Sequence, residues 1–191
     1  MQHLSYPKLL IISLMLFFAS ACSVLQHNQQ FDPNDNWQLK GKLAIITPQQ
    51  RSSVNIRWQQ LESRQQLDFS SFLGINVLTM EANKDGAKLA FDGKEYHGQS
   101  SSELIYRVTG WQLPLAELPL WVKGVPSETA TNIIYTPEGQ LQSFVQNSFG
   151  QTWLVNISKW QDLHGKKMPK LISIQHPQLK IKLQINQWQN L

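Results

Sequence analysis

The stretch Leu179-Lys180-Ile181-Lys182-Leu183-Gln184-Ile185 decides the fold class, because its apolar and polar residues alternate without a break. Successive side chains of a β-strand point to opposite faces, so this pattern predicts a strand with one buried and one wet face. The same alternation recurs in residues 39–45, 54–59, 66–70 and 153–157. Several short strands separated by turns indicate one strongly curved antiparallel sheet.

Two short helices are predicted in the middle of the chain. The segment Ser100-Ser101-Ser102-Glu103 has the spacing of a capping box, and Gly110 can end the helix that it begins. A second helix is predicted to begin at Pro114 and to end before Gly124, although Pro119 removes one of its backbone hydrogen bonds. One face of the sheet and both helices are apolar. The sheet is therefore expected to wrap around the helices as an incomplete barrel with an apolar hollow between them.

The N-terminal residues have the three parts of a secretory signal. Lys8 supplies positive charge, residues 9–18 form an apolar core, and Ala19-Ser20-Ala21 supplies the small residues that a peptidase needs. The apolar core is too short to span a bilayer, which takes roughly 20 residues. The only cysteine, Cys22, follows at once. We therefore predict a lipoprotein signal in residues 1–21, with acylation of Cys22.

Beyond the cysteine, residues 22–36 are polar and are predicted to form a tether, and residues 37–191 are predicted to form one domain. Stable residence on a membrane needs more than one acyl chain. Ser23 follows the cysteine, where Asp tends to keep a bacterial lipoprotein in the inner membrane. The expected location is therefore the outer membrane, with the domain anchored through Cys22 and facing the periplasm.

Composition and motifs argue against several classes of function. The formal charge of +4 is dispersed, and no basic stripe with interleaved aromatic residues suggests nucleic acid binding. The densest basic cluster, Lys166, Lys167 and Lys170, is predicted to be a solvated loop. No nucleophile elbow and no ordered set of Ser, His and Asp suggests an enzyme. The histidines outside the predicted signal are scattered and lack the spacing of zinc ligands, and we expect neither a metal nor a cofactor; they are His27, His97, His164 and His176.

One segment between two predicted strands is unusually apolar for a turn. Residues 70–76 place Phe72, Leu73 and Ile75 beside Gly74, the natural turning residue. Large apolar side chains at a hairpin tip cost roughly 1.5–3 kcal/mol each if they stay in water. Insertion into a lipid interface and folding back into the core are both consistent with this pattern.

Several stretches resemble the LolB family of outer-membrane lipoprotein receptors, and they follow one another along the chain in the family's order. The Leu-Pro-Leu…Leu…Trp-Val-Lys-Gly run within residues 110–124 is the most specific of them. The others are residues 39–46, 54–60, 72–74, 150–153 and 179–188. The resemblance implies an eleven-stranded half-barrel covered by helices, with an apolar cavity that takes the acyl chains of lipoproteins delivered by the soluble carrier LolA. It also implies that Leu73, in the hairpin, places this cargo in the membrane without nucleotide.

The alternation and the predicted second helix select candidates for the cavity wall. These candidates are Leu43, Ile45, Val54, Ile56, Trp58, Leu67, Phe69, Leu118 and Trp121. The protein is expected to act as a monomer. Two other functions stay open at this point: a periplasmic carrier or another anchored lipid-binding protein of the same fold, and an anchored structural module whose hollow is only a packed core.

Overall fold

The computed structural model of this protein describes residues 36–191, and Cys22, the predicted signal and most of the predicted tether lie outside them. Eleven strands and two helices make up the described part. The strands are β1 (Trp37–Ile46), β2 (Arg51–Leu61), β3 (Arg64–Ser70), β4 (Asn76–Asn83), β5 (Gly86–Phe91), β6 (Lys94–Gly98), β7 (Thr131–Tyr135), β8 (Leu141–Ser148), β9 (Gln151–Leu163), β10 (Lys166–His176) and β11 (Leu179–Asn190). The helices are α1 (Ser101–Thr109) and α2 (Leu118–Trp121).

All eleven strands form one antiparallel sheet in the order β6-β5-β4-β3-β2-β1-β11-β10-β9-β8-β7. The first and last strands of the chain, β1 and β11, pair at the centre of the sheet. The two edge strands, β6 and β7, do not pair with each other, so the sheet stays open. The predicted incomplete barrel of about eleven strands covered by short helices is therefore confirmed.

Because every neighbouring pair is antiparallel, the turns alternate between two ends of the sheet. We call the end that holds residues 71–75 the hairpin end; its other turns are residues 47–50, 92–93, 149–150 and 177–178. The opposite end holds the turns at residues 62–63, 84–85, 136–140 and 164–165. Each turn of the sheet therefore lies at one of these two ends.

The interior toward the opposite end is filled by aromatic side chains. The ring centroid of Trp37 lies 5.1 Å from that of Trp58 and 5.5 Å from that of Trp188, with edge-to-face geometry in both pairs. Leu39 and Ile185, on the paired central strands, are fully buried beside them. Edge-to-face pairing stabilises the core beyond the contribution of the large apolar area that such rings bury.

Helix α1 has the predicted ends. The hydroxyl of Ser100 accepts a hydrogen bond from the backbone N–H of Glu103 at 3.2 Å, and Gly110 ends the helix in the left-handed conformation. The pKa of Glu103 is lowered, because its carboxylate accepts a hydrogen bond from the Gln99 backbone N–H and lies beside Arg107. The helix packs against the sheet edge formed by β4, β5 and β6, where Arg107 donates a hydrogen bond to the His97 carbonyl at 3.0 Å.

Two local predictions are wrong. The second helix does not begin at Pro114; only Leu118–Trp121 is helical, and turn residues precede it. The physical reason is Pro119, which is tolerated in the first turn of a helix but not in its interior. The Lys166, Lys167 and Lys170 cluster is exposed, as expected, but it lies on β10 and not in a loop. Pairing with β9 supplies the order that its composition does not reveal.

Candidate functional site

An apolar cavity of about 200 Å³ lies inside the half-barrel. Its wall comes from strands on both sides of the central β1–β11 pair, and its cover comes from α1 and the segment that continues from it to residue 122. The lining side chains are Leu43, Ile45, Val54, Ile56, Trp58, Leu67, Phe69, Val77, Leu78, Met80, Ile105, Thr109, Trp111, Leu113, Pro114, Leu115, Leu118, Val122, Trp153, Ile174, Ile181 and Leu183. None of them is titratable, and Thr109 supplies the one hydroxyl.

Strand register explains why these side chains converge. Leu43 pairs with Val54 on one side and with Leu183 on the other, and Ile45 pairs with Ile181. Directly opposed residues of paired strands lie on the same face of a sheet. Alternation within each strand therefore becomes a continuous apolar surface across neighbouring strands.

The structure places every wall candidate named from the sequence on this cavity except Trp121. Trp121 is fully buried elsewhere: its ring centroid lies 5.6 Å from that of Phe144, and its indole N–H donates to the Ser127 hydroxyl at 2.9 Å. Leu118 and Val122, four residues apart, both line the cavity, whereas the ring of Trp121 packs against Phe144.

Sequence reasoning did not name the residues of the other wall. Trp153, Ile174, Ile181 and Leu183 lie on β9, β10 and β11, across from the β2–β4 wall. The alternation in residues 153–157 and 179–185 marks the apolar faces of β9 and β11, but only the sheet order shows that they close this hollow. The cover residue Trp111 lies in a segment without regular structure, where periodicity gives no signal.

The cavity is closed toward the opposite end and partly open toward the hairpin end. Trp58 borders it where the aromatic stack begins and is 2% exposed. Nearer the hairpin end, Ile45, Phe69 and Leu78 are only partly buried. On β1, β3 and β4 burial therefore decreases toward the turns of the hairpin end, whereas Trp153 and Leu179 on the other wall stay buried there. The opening through which an apolar chain can enter or leave lies on the β1–β4 side.

The 70–76 hairpin projects from this same end. The exposed fractions of Phe72, Leu73 and Ile75 are 90%, 78% and 64%. The turn is held by its own hydrogen bonds: the Ser71 backbone N–H donates to the Ile75 carbonyl at 2.8 Å, and the Gly74 N–H donates to the Ser71 carbonyl at 3.0 Å. Gly74 has φ of +81°, which a residue without Cβ adopts easily. The tip does not fold back into the core, so that alternative is wrong.

Other kinds of site do not arise in residues 36–191. No cluster of three or more His, Cys, Asp or Glu side chains in this range has the geometry to hold a metal ion. Within the same residues, no helix has the length and apolar character to cross a membrane. The apolar cavity and the exposed tip are thus the features of the described chain that call for a ligand.

Comparison with known proteins gives one consistent result. Residues 35–188 match the family model described as outer membrane lipoprotein LolB. The chain is 35% identical over 184 residues to the outer-membrane lipoprotein LolB of Shewanella oneidensis, covering 92% of this chain and 86% of that protein. It is 37% identical over 166 residues to the protein of the same name from Tolumonas auensis, covering 85% and 81%.

Solved structures share the fold at low sequence identity. A LolA superfamily protein from Nitrosomonas europaea superposes with a TM-score of 0.52 at 8% identity, covering 84% of this chain and 88% of that one. A DUF1329 family protein from Desulfovibrio piger gives a TM-score of 0.52 at 7% identity, covering 83% and 87%. At such identity the likeness concerns the open sheet and its helical cover alone.

Proposed function

The chain belongs to the outer membrane lipoprotein LolB family, and from this membership and the cavity we propose that it delivers lipoproteins to the outer membrane. It accepts them from a soluble periplasmic carrier, LolA, shelters their acyl chains and releases these into the bilayer. It is a transport protein and not an enzyme. The single observation that supports this role most strongly is the apolar cavity, which opens at the end of the sheet that bears the exposed hairpin.

The cavity suits hydrocarbon because it offers no charge and almost no polar group. Each methylene taken from water is worth about 0.8 kcal/mol. A lipoprotein therefore cannot cross an aqueous compartment with its acyl chains bare. Transfer needs no nucleotide when each successive site binds the chains more strongly and the bilayer binds them most strongly.

Loading requires the cavity to widen. A volume of about 200 Å³ holds roughly seven groups of the size of a water molecule, at about 30 Å³ each. Entering chains displace the cover formed by Trp111, Leu113 and Leu118, which are only partly buried. This cover includes one helical turn and irregular chain, so it can shift without breaking sheet hydrogen bonds.

Release is assigned to the hairpin. Its three large apolar side chains are mostly exposed, and a lipid interface removes the cost of roughly 1.5–3 kcal/mol that each incurs in water. Because the cavity is most open at this end, insertion of Phe72, Leu73 and Ile75 brings its mouth next to the bilayer. Leu73 is proposed to lead the insertion.

The anchor at Cys22 fits this orientation. Strand β1 has 10 residues and begins at the opposite end, so the tether must reach back along about 33 Å of sheet. The 14 residues from Ser23 to Asn36 can span at most about 48 Å. The proposed tether, residues 22–36, is thus long enough for the acyl chains and the hairpin tip to enter the same membrane.

The experiment that tests this function separates receipt of cargo from its release. In Leu73→Glu, acylated cargo should still pass from the carrier to the receptor but should stay in the soluble complex and not appear in liposomes. Tyr106→Glu is the matched control, because Tyr106 is 51% exposed on α1, away from the tip. Normal insertion by the Leu73→Glu protein would contradict the role assigned to the hairpin.

The alternative, a carrier or another lipid-binding protein of the same fold, differs at the N-terminus. A soluble carrier is released from the membrane after signal cleavage, whereas a receptor keeps acyl chains on Cys22. Mass spectrometry of the mature protein distinguishes the two. An unacylated N-terminus would favour the carrier.

A further inference from the structure

A second exposed apolar residue lies at the hairpin end, on the other side of the half-barrel. Phe149 occupies the two-residue turn between β8 and β9, and 57% of it is exposed. In the sheet order, five strand pairings separate β3, which leads into the apolar hairpin, from β9. Phe149 and the hairpin tip therefore belong to different rims of the same end.

The backbone at Phe149 is unfavourable for such a side chain. Phe149 and Gly150 have φ values of +51° and +71°. The turns Asp92-Gly93 and His164-Gly165 share this backbone, with +52° and +69° in the first and +52° and +84° in the second. Polar residues such as Asn and Asp are usual at the first position of a turn of this kind, and a bulky residue with positive φ is an outlier.

The two ends of the sheet also differ in charge. Within residues 36–191, the turns of the hairpin end contain a single charged residue, Asp92. The turns of the opposite end contain Glu62, Lys84, Asp85 and Glu138 and no exposed large apolar residue. Turns that are poor in charge and rich in exposed apolar side chains suit the interfacial region of a bilayer.

Two cations flank the turns of the hairpin end. Arg51 begins β2 and Lys94 begins β6, and both side chains are exposed. Long basic side chains can keep their charge at the level of lipid head groups while their stems lie along apolar surface. Their positions are thus consistent with head groups around the apolar tips.

We propose that Phe149 is a second membrane contact, which enters the lipid interface together with the 70–76 hairpin, so that both rims of the cavity mouth rest on the bilayer. This proposal depends on the function proposed above. With one contact, the half-barrel can pivot about its hairpin; with two, the open end of the cavity faces the lipid. Phe149 thus favours the orientation in which an acyl chain leaves the cavity without crossing water.

The first test measures depth in the membrane. Full-length anchored protein is reconstituted in vesicles, with an environment-sensitive fluorophore on one new cysteine: Phe149→Cys, Leu73→Cys or His164→Cys. His164→Cys is the matched control, because it has the same turn geometry at the opposite end. We expect spin-labelled lipids to quench the labels at positions 149 and 73 and to leave the label at position 164 unquenched.

The outcomes distinguish the two proposals. A label at position 149 that stays in water while the label at position 73 is quenched overturns the second contact and leaves the proposed function intact. If neither label is quenched, both the second contact and the proposed role of the hairpin are wrong.

The second test separates lipid contact from a structural role. Phe149→Asn places a residue in the turn that its backbone prefers, so resistance to urea should be equal or greater, while delivery of cargo to vesicles should fall by about tenfold. Phe149→Trp should deliver cargo at the normal rate. Unchanged delivery by the Phe149→Asn protein would overturn the proposal. If that variant does not fold, the depth measurement decides alone.

Discussion

The indole rings of Trp37 and Trp58 meet edge to face with their centroids 5.1 Å apart, and this contact marks where the cavity ends and the solid core begins. Trp58 lines the cavity, whereas Trp37 does not. The half-barrel is therefore divided along its length. A filled half provides stability, and a partly empty half at the hairpin end is available to a ligand.

Replacing the floor of the cavity should separate stability from binding. Trp58→Ala is expected to lower the free energy of unfolding by about 3–5 kcal/mol and to deepen the cavity, so binding of a fluorescent fatty acid should persist or strengthen. Trp188→Ala, which removes a ring from the same stack but not from the cavity wall, should cost a similar amount and leave binding unchanged. Urea unfolding and probe titration measure both effects. Weaker binding by the Trp58→Ala protein, once folded, would contradict the expectation that a fatty acid makes use of the added cavity volume.

Filling the cavity should have the reverse effect on binding. Leu43 is partly buried on the wall, and its neighbour Lys42 is exposed on the outer face of the same strand. Leu43→Trp is expected to reduce the affinity for a fluorescent fatty acid by at least about tenfold, because the larger ring takes up space that the chain needs. Lys42→Trp should leave the affinity unchanged. Equal affinities in the two variants would show that the probe binds elsewhere.

The centre of the sheet depends on a close approach of two backbones. A Cβ added to Gly41 would lie 2.1 Å from the carbonyl oxygen of Gln184, beside the register shift between Lys40 and Gly41. Gly41→Ala should therefore lower the free energy of unfolding by about 3 kcal/mol or more. Gly98→Ala should cost less, about 1 kcal/mol, because the added Cβ meets the side chains of Leu104 and Glu103 and not backbone. A mild effect of Gly41→Ala in chemical unfolding would contradict this close approach.

Tether length should limit function if the hairpin end faces the membrane. Deleting eight residues between Cys22 and Asn36 leaves a reach of about 20 Å, which is shorter than the roughly 33 Å of β1. This deletion should abolish cargo insertion and leave transfer from the carrier to the receptor intact. Deleting two residues is the control and should be tolerated. Full insertion by the shorter protein would exclude the proposed orientation.

Much of the fold follows from local pattern. Alternation in residues 39–45 and 179–185 correctly predicts the central strands, and the capping residues Ser100 and Gly110 correctly predict the ends of α1. These features depend on neighbours in the sequence, so the sequence alone reveals them. The short strand β7, whose residues are all exposed, has no such pattern and is recognised only from its pairing with β8.

The candidate site is predictable in part for a related reason. Alternation identifies the inner face of β1, β2 and β3, but it does not show that Ile174 and Trp153 lie across from it. That relationship depends on the order of strands far apart in the chain. The position of Trp121 depends on its contacts with Phe144 and Ser127, and whether the hollow is empty depends on the sum of side-chain volumes. Neither is a local property of the sequence.

The most direct measurement of the central claim is photocrosslinking from the two faces of the sheet to acylated cargo. A photoreactive amino acid at Leu43, Phe69 or Ile181 probes the cavity, and the same group at Lys40, Lys42 or Arg57 probes the outer face. Our interpretation predicts crosslinks to the acyl chains from the first set and none from the second. Crosslinks only from Lys40, Lys42 and Arg57 would contradict it.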